Sequence, residues 1–170
     1  VPHAWRHVIA RREANDVVAI PITQDTSLTV EVTRILDHST PNRPCGVHHL
    51  RTTTSTSRSL EPVQLIAGDL LIPADQPAAR YLLETLSPQA VDAFFRWNFF
   101  DSVLQQKEYF SSYVFEDTAE RLLDESPTLR SALDSARAER ELSARAQLDF
   151  IYRRSPHSEG TAGRYPIFRI

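Results

Sequence analysis

LTVEVTRIL, residues 28–36, sets Leu28, Val30 and Val32 against Thr29, Glu31 and Thr33. Successive Cβ atoms of a pleated chain point to opposite faces, so this alternation is the mark of a half-buried strand. Working outward, residues 17–22, 47–56, 62–66 and 69–72 also read as strands. They are rich in Val, Ile, Leu and Thr and are separated by turn clusters at 23–26 and 39–44. Residues 4–15 precede them as a short helix with Trp5, Val8 and Ile9 on one face. RTTTSTSRS at 51–59 is the only low-complexity stretch and reads as an exposed Thr-rich strand and turn.

Near residue 86 the composition changes. Ser87-Pro88 and Ser126-Pro127 both have the form of an N-cap followed by an N1 proline. Asp117 with Glu120 resembles a capping box ahead of Leu122 and Leu123. Residues 128–152 are rich in Ala, Leu, Glu and Arg with no Gly or Pro, and Glu141 and Arg145 are spaced to pair at i, i+4. Residues 155–163 break the helix and 164–170 read as a terminal strand. The expected architecture is α+β, in one compact unit over residues 1–170. A β-rich part (1–86, about five strands with a leading short helix) packs with a helical part (87–170) that ends in a short strand.

Length and charge exclude several function classes. A chain of 170 residues suffices for one sizeable core. Its 19 basic and 22 acidic side chains give a net charge of −3. No basic stripe points to nucleic acid. The longest apolar runs, such as 17–20 and 70–72, are far shorter than a membrane span. One cysteine precludes an intrachain disulfide, and four glycines include no phosphate-cradling motif. The chain lacks methionine even at position 1, and residues 2–15 are too polar for a signal peptide. We therefore expect a processed or excised piece of a longer protein.

Nine of the fifteen Phe, Tyr and Trp residues lie between Phe94 and Phe115. Such a cluster is either a stacking platform or a corner of the core, and the doublets Phe94-Phe95 and Phe99-Phe100 favour the core. His3 and His7 are four apart, as in a helical zinc pair, but no glutamate base stands between them. Cys45, His48 and His49 supply soft ligands, although neighbours on a strand face opposite ways and zinc needs three or four that converge. Cys45 also raises the question of a thiol nucleophile. Asp92, Asp101, Glu108, Glu116 and Asp117 could pair for acid–base work but read as solvated or capping carboxylates. Gly160 and Gly163 spell GxxG without a basic residue between. Arg153, Arg154, Arg164 and Arg169 are candidates for contacting an anion or the body of a larger protein. We assign no catalytic, cofactor-binding or metal-binding residue.

The run YLLETLSPQAVDAFFRWNFFDSVLQQKEYFSSYVFEDTAERLL at 81–123 resembles the C-terminal region of bacterial zinc-carboxypeptidase-like metallopeptidases of the carboxypeptidase A type. QLDFIYRRSPHSEGTAGRYPIFRI at 147–170 is similar to their closing segment. GDLLIPADQPAARYLLE at 68–84 resembles the strand and turn before it, and the opening 23 residues resemble the linker helix and strand after the catalytic domain. The likeness is strongest over 62–170. The chain departs near 44–50, where it reads Cys45-Gly46-Val47-His48 and the family has a Tyr-Glu-Gly-His stretch.

In that family zinc is held by a His-x-x-Glu pair and a distant His, with a second Glu as base. None of the histidines at 3, 7, 38, 48, 49 and 157 has Glu three residues on, so no catalytic residue can be carried over. The resemblance implies a non-catalytic C-terminal accessory region, not itself an enzyme, that packs against its own N-terminal catalytic domain. Zinc is expected only in that domain, and a secreted or periplasmic location is implied. The alternatives are a glycan- or peptide-binding module using Trp97 or Trp5, and a small hydrolase using Cys45 or His48. A docking region should expose an apolar patch of more than a few hundred Å².

Overall fold

The alternating stretch becomes part of the longest strand. The computed structural model describes residues 1–170, in the order α1 (Arg6–Glu13), β1 (Ile20–Pro21), β2 (Thr26–Ser39), β3 (Thr53–Leu65), β4 (Leu70–Leu71), α2 (Ala79–Leu86), α3 (Ser112–Glu125), α4 (Pro127–Glu139) and α5 (Ala144–Tyr152). A 3₁₀ turn covers Asp101–Leu104. The class is mixed α+β, with two antiparallel two-stranded sheets, β1–β4 and β2–β3. The chain forms two compact units, one of Val1–Gln105 with Gly163–Ile170 and one of Gln106–Ala162. The division thus falls after Gln105 and not at the compositional change near residue 86.

In the first unit β2 and β3 make a long ribbon, with Val30 opposite Glu61 and Val32 opposite Ser59. One ribbon face buries Val30, Val32, Val63 and Leu65, with Ile22 and Phe168 packed on them. Ile35 belongs to the other face and joins a second cluster with Val8, Phe94, Phe95, Phe100, Val103 and Tyr165. Each face is therefore buried over a different part of the strand. A bulge leaves Leu36 without a partner and exposed. The terminal segment meets the β2 edge through two bridges, Arg34 with Arg164 and Glu31 with Arg169.

The aromatic stretch is mostly core. Phe94, Phe95 and Phe100 are buried, and Trp5 meets Phe100 edge to face at 4.8 Å between centroids. In the second unit Phe115, Ala119, Leu133, Ile151 and Tyr152 form the core, joined by Phe110. Tyr109 and Tyr113 of the same stretch are exposed.

Several boundaries differ from the sequence expectation, each for a local reason. The strands expected at 47–56 and 62–66 are one strand, and 47–52 lies outside it. Pro62 is tolerated because β3 pairs with β2 alone, so a missing N–H need not interrupt a second ladder. The count is accordingly four strands rather than five, and the terminal strand reduces to the two bridges.

Ser87-Pro88 ends a helix instead of starting one. Ser87 is extended (φ −81°, ψ 124°), as a residue before proline prefers. Asp117 lies inside α3 rather than at its start, because the apolar face Phe115, Ala119, Leu122 begins before it. The run 128–152 is two helices. Ser143 accepts from the Ala146 N–H at 3.2 Å and starts α5 afresh, and this leaves Glu141 outside both helices. Arg137 reaches the Gln147 side chain across this break. Ser126 does cap α4, accepting from the Leu129 N–H at 3.2 Å.

Candidate functional site

Two-residue strands cannot hold a sheet unaided, and β1–β4 is held by the turn that enters β4. Gly68 adopts φ +95° there, a conformation glycine reaches without steric cost. Asp69 follows it, buried, and organises the corner. Its carboxylate accepts from the N–H of His3 (3.0 Å) and of Ile66 (3.2 Å) and lies 2.9 Å from His3 Nδ1. Its carbonyl accepts from the Ile22 N–H, and Val1 and Leu70 exchange both backbone hydrogen bonds alongside. Burial pushes the Asp69 carboxyl up, but the His3 N–H, the His3 ring and the Ile66 N–H together outweigh it. The carboxyl is held below its ordinary value.

Asp69 therefore adds stability that is complete above the ordinary carboxyl value of 3.8 and is lost as pH falls through its lower folded value. Asp69→Ala strands two partly buried N–H groups and is expected to cost about 2 kcal/mol at pH 7. Urea titrations at pH 7 and pH 3 should show the deficit shrinking in acid.

Beside this corner the first unit holds a cavity of about 520 Å³, within the size range of binding pockets. Its walls come from β4 and the residues after it, from α2 and from the terminal segment, with Leu70, Leu82, Leu86 and Phe168 among them. Leu71, Leu83 and Ile170 line it while remaining exposed, Leu83 at 65%. Asp69 and Arg169 are the only residues of charged type along its lining. The cavity is an apolar groove.

The candidates drawn from sequence do not gather here. His3 binds Asp69 while His7 stands exposed on α1. An Asp–His pair is two-thirds of a hydrolytic triad, but no serine, threonine or cysteine side chain bonds to the His3 ring. Cys45 is exposed, in a tight turn closed by the paired backbone bonds of Cys45 and His48 (2.8 and 3.0 Å). His48 Nδ1 lies 3.3 Å from Asn98 Oδ1, and His49 Nδ1 lies 3.3 Å from the Pro41 carbonyl. His38 and His157 meet Phe95 and Phe115 edge-on. Nowhere do three His, Cys, Asp or Glu side chains converge as a metal would need.

Comparison with protein-family models, with curated proteins and with solved structures finds no match.

Among the carboxylates, Asp101 is taken up by Arg51 at 2.7 Å, and Asp92, Glu108, Glu116 and Asp117 are exposed. Trp5 and Trp97 are half-buried rather than laid open as platforms; Trp97 stands edge-on to His48 at 6.0 Å. Of the arginines, Arg153 pairs with Asp149 at 2.8 Å, Arg154 stacks on Phe150 and Arg164 lies over Phe168. Arg169 alone lines the groove. Sequence reasoning missed the groove and the His3–Asp69 pin. The visible signals were the apolar run at 70–72 and the doublet Leu82-Leu83, which offers two adjacent faces of one helix.

Val47 marks a second unusual place. Gly46 and Val47 both have positive φ (+53° and +64°), the geometry of a tight hairpin turn with mirror-image torsions. Glycine fits it, but a β-branched residue is strained there. Val47 is 92% exposed, so no packing compensates. Val47→Asn is expected to stabilise the first unit by about 1 kcal/mol, read as a higher urea midpoint with unchanged slope.

Proposed function

We propose that the chain is a non-catalytic accessory region of a zinc-carboxypeptidase-like protein, which docks on the catalytic domain and stabilises it or shapes substrate access. The observation that carries this reading is the apolar groove with Leu71, Leu83 and Ile170 left in water at its walls. Large aliphatic side chains around one concavity lose favourable burial energy unless a partner covers them. The resemblance of 62–170 to the closing region of that family supplies the identity of the partner.

Reading the coding frame upstream of the Val1 codon tests the identity. The expected result is a long α/β pattern holding His-x-x-Glu and a later His. A frame encoding neither overturns it. The chain has no helix long and apolar enough to cross a membrane.

A further inference from the structure

We infer that the free edge of β3 pairs with the same edge of a second copy of this chain, antiparallel and with a two-fold axis at Leu60. The β2–β3 ribbon has two edges, and the terminal segment meets the β2 edge. There Glu31 exchanges both backbone hydrogen bonds with Arg169, the Thr33 carbonyl accepts from the Tyr165 N–H, and the Ile35 N–H donates to the Gly163 carbonyl. In an antiparallel pair, a residue that turns its backbone groups outward stands opposite one that does the same. The residues opposite are Leu60, Arg58 and Thr56. Their N–H and C=O groups therefore point away from β2, as do those of Pro62 and Gln64 by the same alternation. No strand lies on that side, and no backbone group bonds to them. Gln89 reaches the Thr54 carbonyl at 3.1 Å, short of this run.

An open edge of this kind takes up an extended strand, and the side chains select which one. Leu60, 75% exposed, is the one large apolar side chain among the outward-turned residues. A two-fold axis at Leu60 sets it against its own copy and takes both leucines out of water. The same axis sets Arg58 against Pro62, Thr56 against Gln64 and Glu61 against Ser59, so no like charges stand opposite. Arg58 keeps Glu31 at 3.8 Å as its counter-charge. Pro62 lacks an N–H, but its carbonyl still accepts from Arg58, and the pairing closes about eight backbone hydrogen bonds. Neighbouring axes fit worse. At Arg58 two guanidiniums meet, at Glu61 two carboxylates meet, and at Ser59 each leucine faces an arginine. At Thr56 or Ser57 the partner must displace Gln89 from Thr54.

The test is sedimentation velocity of the full chain up to millimolar concentration, with cysteine cross-linking in a Cys45→Ser background. Wild type should dimerise reversibly, and Leu60→Lys should weaken the dimer at least about tenfold, since two ammonium groups then meet on the axis. Leu60 is exposed within its own chain, so at dilute, monomeric concentration the urea midpoint of Leu60→Lys should match wild type. Opposed residues of a hydrogen-bonded pair lie about 5.5 Å apart at Cα, within reach of a disulfide. Leu60→Cys should therefore oxidise to a covalent dimer. Thr56→Cys, roughly 26 Å from its own copy along the strand, should not. A chain that stays monomeric overturns the inference, as does a dimer that Leu60→Lys leaves intact. Cross-linking through Thr56→Cys in place of Leu60→Cys overturns it as well.

Discussion

Tyr165→Ala is expected to lower the stability of the first unit by about 3–5 kcal/mol, while Tyr165→Phe leaves it unchanged or raises it by about 1 kcal/mol. Tyr165 is 1% exposed and stands where three segments meet. Its ring is edge-on to Phe100 at 5.1 Å and to Phe95 at 6.1 Å, and its N–H donates to the Thr33 carbonyl of β2. Truncation empties a site enclosed by rigid aromatic neighbours, which collapse poorly into a cavity. The hydroxyl is another matter. It is buried without a hydrogen-bond partner, so removing it relieves a desolvation penalty.

Burial also pushes the Tyr165 phenol far above its ordinary value of 10.0, since the phenolate has no partner inside. A raised folded value means that stability is complete below the ordinary value and declines as pH climbs past it. The alkaline unfolding limb should therefore move to higher pH in Tyr165→Phe. Urea midpoints at pH 7 and pH 11 for the three proteins measure both effects.

Gly163→Ala is the second large effect, about 3 kcal/mol. Gly163 has φ +68°, which costs an L-residue roughly 1–2 kcal/mol. An added Cβ would stand 2.9 Å from the Ile35 carbonyl oxygen, which is backbone in mid-strand and cannot turn aside. The same residue accepts from the Ile35 N–H and donates to the Val103 carbonyl, both at 2.8 Å, so any shift breaks two hydrogen bonds. Gly160→Ala is the control, because its Cβ would meet nothing within 4 Å. It should change stability by less than about 0.5 kcal/mol.

These two residues show what could be read in the chain and what could not. Gly160 and Gly163 look alike in sequence, and only the positive φ of Gly163 and the closeness of Ile35 make one of them irreplaceable. The strand at 28–36, the helix at 4–15 and the Ser126 cap were legible because period and cap chemistry are local. The helix break at Ser143 was not, because Ala, Leu, Glu and Arg on both sides favour helix and the competing cap is a single hydroxyl. The expected helix start at Ser87-Pro88 was misread because the same dipeptide serves the end of one helix and the start of another. Covered on one face at Val30 and on the other at Ile35, β2 reports only half its environment by alternation. The groove was illegible for a plainer reason. Its walls come from residues near 70, 82 and 168, and nothing in a one-dimensional pattern brings those three stretches together.

We propose that this groove docks a carboxypeptidase-type catalytic domain. The most direct measurement is isothermal titration of the proposed catalytic domain, should the upstream reading frame encode one, into the separate 170-residue chain and into its Leu83→Glu variant. Saturable binding by wild type and at least about a tenfold loss in the variant are expected, since a carboxylate would then be buried against apolar surface. Binding that is absent, or equal for the two proteins, would contradict the proposal.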